Sequence, residues 1–151
     1  MPNPTSSSYP GSDQEHETAI ASAEAAAKAS ALRSAAPLLD LQVLEDMERD
    51  FPDSTVAERF AEDFCATLEG KLERLTTALE SRDAVNAQDA VLSLTSSAAM
   101  VGALRLNQAA RAAERHIATD QLEAAARSLP LLQACGAETQ QELQRTYLTR
   151  R

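Results

Sequence analysis

The sequence has no tryptophan, two tyrosines and three phenylalanines, so aromatics make up only 3% of its 151 residues. With four glycines and six prolines as its only strong chain-turning residues, it has little material for strands and hairpins, which excludes a β-rich fold. Cysteine is limited to Cys65 and Cys135, far apart and each inside a helical pattern. That spacing excludes a disulfide framework and reads as two buried or half-buried thiols. Positive charge is scarce, 14 Lys and Arg against 23 Asp and Glu, for a net charge of -9. Such a surface repels phosphate backbones and anionic headgroups, so nucleic acid and membrane are excluded as partners and a protein is expected instead. No apolar stretch approaches the roughly 20 residues that span a bilayer, and no basic leader precedes one, so the chain is expected to be cytoplasmic. There is no Gly-rich phosphate loop, nucleophile elbow or paired-histidine motif, and no metal or cofactor is expected.

What is present is alanine and leucine: 44% of the residues are hydrophobic and 25% charged, enough for one helical core with a wet exterior. Residues 1–16 are rich in Ser, Pro, Gly and Asn and read as a disordered tail. Residues 17–37 are alanine-rich, with Ile20 and Leu32 as the only large hydrophobes, and read as a helical extension or linker that Pro37 ends. Residues 38–151 carry the bundle. Asp40 can cap a short helix in which Leu44, Met47 and Phe51 share a face before Pro52 stops it. Thr55 and Glu58 form a capping box for a long helix striped by Val56, Phe60, Phe64, Leu68, Leu72, Leu75 and Leu79. Glu62, Glu69, Glu73 and Glu80 on its polar sides read as surface pairs with neighbouring Arg and Lys. Asp83 opens a helix from about Ala84 to Val101, which Gly102 closes. The next helix runs from about Leu104 to Ile117. A last long one carries Leu122, Ala125, Leu129, Leu132, Leu143 and Tyr147, with a kink or break expected at Pro130 and Gly136. Short links favour antiparallel neighbours, so the expected fold is all-α, an up-and-down four-helix bundle with a short leading helix.

The stretch from Ala90 to Gly102 is the most telling. Ser93-Leu94, then Ser97-Ala98-Ala99, then Gly102-Ala103 follow Leu39-Asp40-Leu41-Gln42-Val43-Leu44 and Leu72-Glu73-Arg74-Leu75, and precede Arg105-Leu106 through Glu114. In order and spacing these pieces resemble the histidine phosphotransfer domain family over residues 38 to about 149. That family's pattern is a histidine, any residue, Leu-Lys-Gly, a run of small residues, and a second glycine ten positions after the histidine. Counting back from Gly102 puts Leu92 at the histidine, Thr95 at the lysine and Ser96 at the first glycine. In the family the imidazole takes a phosphoryl group from a receiver-domain aspartate, the lysine offsets phosphate charge and the glycine leaves room for the partner. Leu92 has no lone pair to give. The resemblance therefore implies a degenerate member that binds a response-regulator receiver domain or a histidine kinase in two-component signalling without accepting phosphate, and so without enzymatic activity.

Helical geometry places that residue without help from the family. Val91, Leu94, Ala98 and Val101 are spaced 3, 4 and 3 apart and form a buried stripe, while Leu92 lies about 200° from Leu94 at roughly 100° per residue. Leu92 should face outward with Gln88, Thr95, Ser96 and Ala99 around it, an uncharged patch suited to a protein partner. A competing reading is a structural or assembly bundle acting through its N-terminal extension. A third is phosphotransfer through His116, which otherwise reads as a helix-terminal residue interacting favourably with the dipole beside Arg115. His16 falls in the tail.

Overall fold

Three of the turns in this chain repeat one backbone device. The structure, a computed structural model, describes residues 35–53 and 55–149; the readings for the tail, for the extension up to residue 34 and for His16 lie outside them. Six α-helices follow one another, with no strand among the described residues: α1 Gln42–Asp50, α2 Thr55–Glu80, α3 Ala84–Val101, α4 Leu104–Ala118, α5 Leu122–Arg127 and α6 Leu129–Leu143, closed by a π-helical turn at Gln144–Leu148. Ala36–Arg151 make one compact unit.

Each antiparallel connection between α2 and α5 closes by a 6→1 backbone hydrogen bond around one left-handed residue, the Schellman arrangement. Asp83 N–H reaches Ala78 C=O across Arg82 (φ 55°), Ala103 N–H reaches Ala98 C=O across Gly102 (φ 78°), and Gln121 N–H reaches His116 C=O across Asp120 (φ 61°). Turns this short force the helices to return alongside one another. Accordingly α2 packs on α3, α3 on α4, and α4 on α5 and α6, while α2 also meets α5 and α6 to close the bundle. Phe64, Leu68, Leu75, Leu94, Leu106, Leu132, Leu143 and Tyr147 fill the centre, and α1 lies over α2 and α3.

The sequence expectations hold for this architecture and are corrected in detail. Asp40 Oδ1 accepts from Gln42 N–H at 3.0 Å and starts α1, but Phe51 is exposed rather than on the face of Leu44 and Met47. Pro52 drives the residue before it out of the helical region, and Phe51 at φ -109°, ψ 137° swings outward. At α2 the Thr55 hydroxyl donates to Asp53 Oδ1 at 2.7 Å, and Thr55 N–H donates to the same oxygen at 2.9 Å, so Asp53 takes the capping role assigned to Thr55. Among the described residues Glu69, Glu73 and Glu80 form no ion pair; Arg74 on α2 instead reaches across to Asp89 on α3 at 3.6 Å. The break at Pro130 is real: the chain leaves α5 at Ser128, and Pro130 sits in the first turn of α6, where its missing N–H costs nothing. At Gly136 the helix is not broken: α6 runs on from Leu129 to Leu143. A Cβ there would lie 3.2 Å from Leu72 Cδ1 and 3.3 Å from Leu68 Cδ2, so its lack of a side chain lets α6 settle against α2.

Gly102 is held by two constraints at once. Its φ is left-handed, and a Cβ would lie 2.2 Å from the carbonyl oxygen of Asp40, whose N–H donates to Gly102 C=O at 2.8 Å. Gly70, in the middle of α2, has nothing within 4 Å of an added Cβ. Opposite effects of one substitution are therefore expected in urea unfolding. Gly102→Ala should lower stability by at least ~2 kcal/mol through left-handed strain and the clash, whereas Gly70→Ala should raise it by up to ~1 kcal/mol through helix propensity. A destabilised Gly70→Ala, or an unaffected Gly102→Ala, would contradict this account.

The Asp53 cap has a pH signature. The Thr55 backbone and hydroxyl donors hold its carboxyl below the ordinary value of 3.8, helped by the Arg59 charge. A depressed carboxyl adds stability above its unfolded pKa and loses it as pH falls through the lower folded value. The stability gap between the native chain and Asp53→Asn should accordingly persist near neutrality and shrink in unfolding curves taken progressively below about pH 4.

Candidate functional site

Helix α3 is pinned at both ends, which fixes its rotation. Asp83 Oδ1 accepts from Asn86 N–H at 3.1 Å at the start, and the Gly102 turn closes the other end. Between them Val91, Leu94, Ala98 and Val101 are buried, as their spacing requires. Leu92 consequently faces out with 41% of its surface exposed.

It does not stand alone. Val85, seven residues earlier, is 79% exposed and Met100, eight later, is 43% exposed. At 1.5 Å per residue the three are spread over roughly 22 Å of the helix, Val85 about 20° and Met100 about 80° round the axis from Leu92. Only Phe51 and Leu131 are further large exposed hydrophobics among the described residues, so most of the exposed bulky apolar surface is concentrated on α3. Ser96 and Ala99 are exposed between them, as expected. Sequence reasoning missed Val85 and Met100, although their offsets from Leu92, near two helical turns each way, carried the signal.

Thr95 and Gln88 depart from the expected patch. Thr95 is only 6% exposed. It stands four residues after Val91, about 40° round the axis, at the edge of the buried stripe rather than outside it. Its hydroxyl donates to the carbonyls of Val91 (3.1 Å) and Leu92 (2.9 Å), so it is satisfied within its own helix. A long lysine could reach solvent from such an edge; a threonine cannot. Gln88 is half-buried, and its Oε1 is turned away from solvent with no hydrogen-bond partner among the described residues.

The flanks of the face differ. Toward α2, Arg74 and Lys71 line a groove of about 990 Å³ with Asn86 and Asp83 from the α3 end, and Lys71 Nζ donates to Thr67 Oγ1 at 3.1 Å. Toward α4, Asn107 Nδ2 donates to the Thr95 carbonyl at 2.8 Å.

The histidine and the two cysteines among the described residues lie elsewhere. His116 lies in the last turn of α4 with Nδ1 3.1 Å from Gln121 Oε1. Nine residues from Asn107, it projects from the opposite side of the helix, away from this face. No three His, Cys, Asp or Glu residues are grouped to hold a metal among the described residues. No helix among them is long and apolar enough to cross a membrane. Cys65 and Cys135 are buried free thiols, and burial raises both above the usual thiol value, with Glu138 adding to the effect at Cys135. The reactive form is the thiolate. Iodoacetamide at pH 8 should therefore modify neither cysteine appreciably in the native protein and both rapidly in urea; fast labelling of the folded chain would refute their inertness.

Comparisons with known proteins agree with this geometry. The family model described as "Hpt domain" matches residues 59–146. Among solved structures, the fold is similar to the crystal structure of histidine-containing phosphotransfer protein B (HptB) from Pseudomonas aeruginosa PAO1. The TM-score is 0.64 at 23% identity, over 74% of this chain and 98% of that one, a likeness that speaks to fold. No curated protein sequence matches the chain.

Proposed function

Because the chain belongs to the Hpt domain family, we propose that it is a non-catalytic phosphotransfer-like module of a two-component phosphorelay, binding a receiver domain through the outward face of α3 without accepting phosphate. Hpt domains exchange phosphoryl groups with the receiver domains of response regulators and kinases, so a phosphorelay role comes with the family. The observation that carries the finer reading is Leu92, exposed at the phosphoacceptor position of a helix whose caps and buried stripe are intact. The docking platform is kept and the nucleophile is not.

Phosphoryl transfer needs a ring nitrogen that can attack and later leave. Leucine offers neither a lone pair nor a proton-transfer partner. What it offers is apolar area: burying Leu92 against a partner contributes ~1.5–3 kcal/mol, and exposed Val85 lies nearly in line with it two turns earlier. The module acts by occupancy. Seated over a receiver's aspartate face, it competes with phosphotransfer proteins that carry the histidine.

Three measurements on the full chain test the reading. Incubation with a phosphorylated receiver should leave no acid-labile phosphate on the protein, while titration against the host's receiver domains should find at least one binder. Leu92→Asp should weaken that binding by more than about tenfold, since a carboxylate replaces apolar contact against an acidic partner face. Leu92→His, which returns an imidazole to an exposed and correctly phased position, should acquire label from the phosphorylated receiver. Absence of any receiver binder, or binding indifferent to Leu92→Asp, would sink the proposal.

A further inference from the structure

The family's lysine position is occupied by Thr95, whose side chain is buried and uncharged, so the docking face has lost the cation carried by its own helix. The structure supplies another from next door. Asn107 on α4 is fixed by donating from Nδ2 to the Thr95 carbonyl at 2.8 Å, and its Oδ1 in turn accepts from Arg111 Nε at 3.0 Å. The two bonds form a short relay from the backbone of α3, through one amide, to a guanidinium.

Register shows where that guanidinium sits. Helices α3 and α4 run antiparallel out of the turn at Gly102 and Ala103, with Asn107 beside Thr95. Four residues forward on α4, one turn, corresponds to about one turn back on α3. Arg111 therefore stands level with Val91 and Leu92, on the flank from which a lysine at position 95 would have reached outward. It is exposed, and no carboxylate pairs with it among the described residues; the ion pairs formed there are those of Arg49, Arg74, Arg82 and Arg145. With Nε committed to Asn107, both Nη groups stay available in a fixed plane, the geometry that grips a carboxylate with two parallel hydrogen bonds.

We propose that Arg111, oriented by Asn107, is the electrostatic contact of this face, pairing with a carboxylate at the receiver's aspartate site while Leu92 covers the apolar surround. The inference rests on the receiver-binding reading above. It adds a position and a partner chemistry to it: an acidic pocket gripped from α4 rather than from α3. On a chain of net charge -9, an exposed guanidinium that no carboxylate engages among the described residues gives an acidic partner surface a point to grip on this flank. Asn107 is a positioning residue. Its deletion would free the guanidinium to sample many rotamers without removing the charge.

The experiment is titration of the full chain with the receiver that binds it best, at salt concentrations from low to about 0.5 M, where exposed charge pairs are screened. Arg111→Ala should weaken binding about tenfold at low salt and flatten its salt dependence, and Arg111→Glu should weaken it further. Arg111→Lys should recover part of the affinity by charge alone, and Asn107→Ala should weaken binding while leaving the salt slope close to that of the native chain. Thermal melts confirm that these variants fold. If Leu92→Asp abolishes binding while Arg111→Ala and Arg111→Glu bind as the native chain does, the assignment of Arg111 is overturned and the receiver-binding face survives. If no receiver binds the native chain, both fall.

Discussion

The contact on which the site depends is made entirely of backbone. Gly102 C=O accepts from Asp40 N–H, and Asp40 C=O returns to lie where a Gly102 side chain would be. This exchange ties the segment leading into α1 to the turn between α3 and α4, and with it three helices take their positions. It also sets a phase. With Asp83 fixing the other end of α3, the helix cannot rotate, and every residue counted back from Gly102 has a determined direction. The position ten residues earlier, about 15 Å along the axis, is thereby outward whatever side chain occupies it. Scaffold and chemistry are separable here because the constraint that aims residue 92 involves no atom of residue 92.

Much of this was legible in the sequence because it rests on periodicity and on glycine. The long stripe from Val56 to Leu79, the stripe of α3 and the closure at Gly102 all have unambiguous local signals. The turns at Arg82 and Asp120 use the same closure as Gly102, but arginine has no left-handed preference and aspartate a far weaker one than glycine, so their geometry was not legible beforehand. Gly136, where a break was one expectation and none occurs, is the opposite case. Its purpose is tertiary, a close approach of α6 to Leu68 and Leu72, and a sequence shows a missing side chain without showing what fills the space. Thr95 was misplaced because a wheel treats faces as halves. Forty degrees from Val91, it is near enough to the stripe for α4 to cover it, and Asn107 does so.

That misplacement matters to function. Had Thr95 been exposed, the face would be a neutral surface with a hydroxyl near its centre. Since its hydroxyl is spent on the carbonyls of its own helix and its backbone carbonyl is spent on Asn107, the residue contributes structure only. The polar character of that flank comes from α4. On the proposed reading, the charge this face offers a partner comes from Arg111 on α4 rather than from α3 itself.

On the receiver-binding reading, a leucine at the phosphoacceptor position also changes the kinetic logic of such a face. A phosphotransfer domain must release its partner after each transfer, so its affinity cannot grow without slowing turnover. A module that transfers nothing has no such limit. On the receiver-binding reading, the ~1.5–3 kcal/mol from burying Leu92 corresponds to roughly 10- to 150-fold in affinity, and such gains fall mainly on the dissociation rate. Loss of the nucleophile and gain of residence time are then one substitution seen from two sides: the atom that would have reacted is replaced by area that holds.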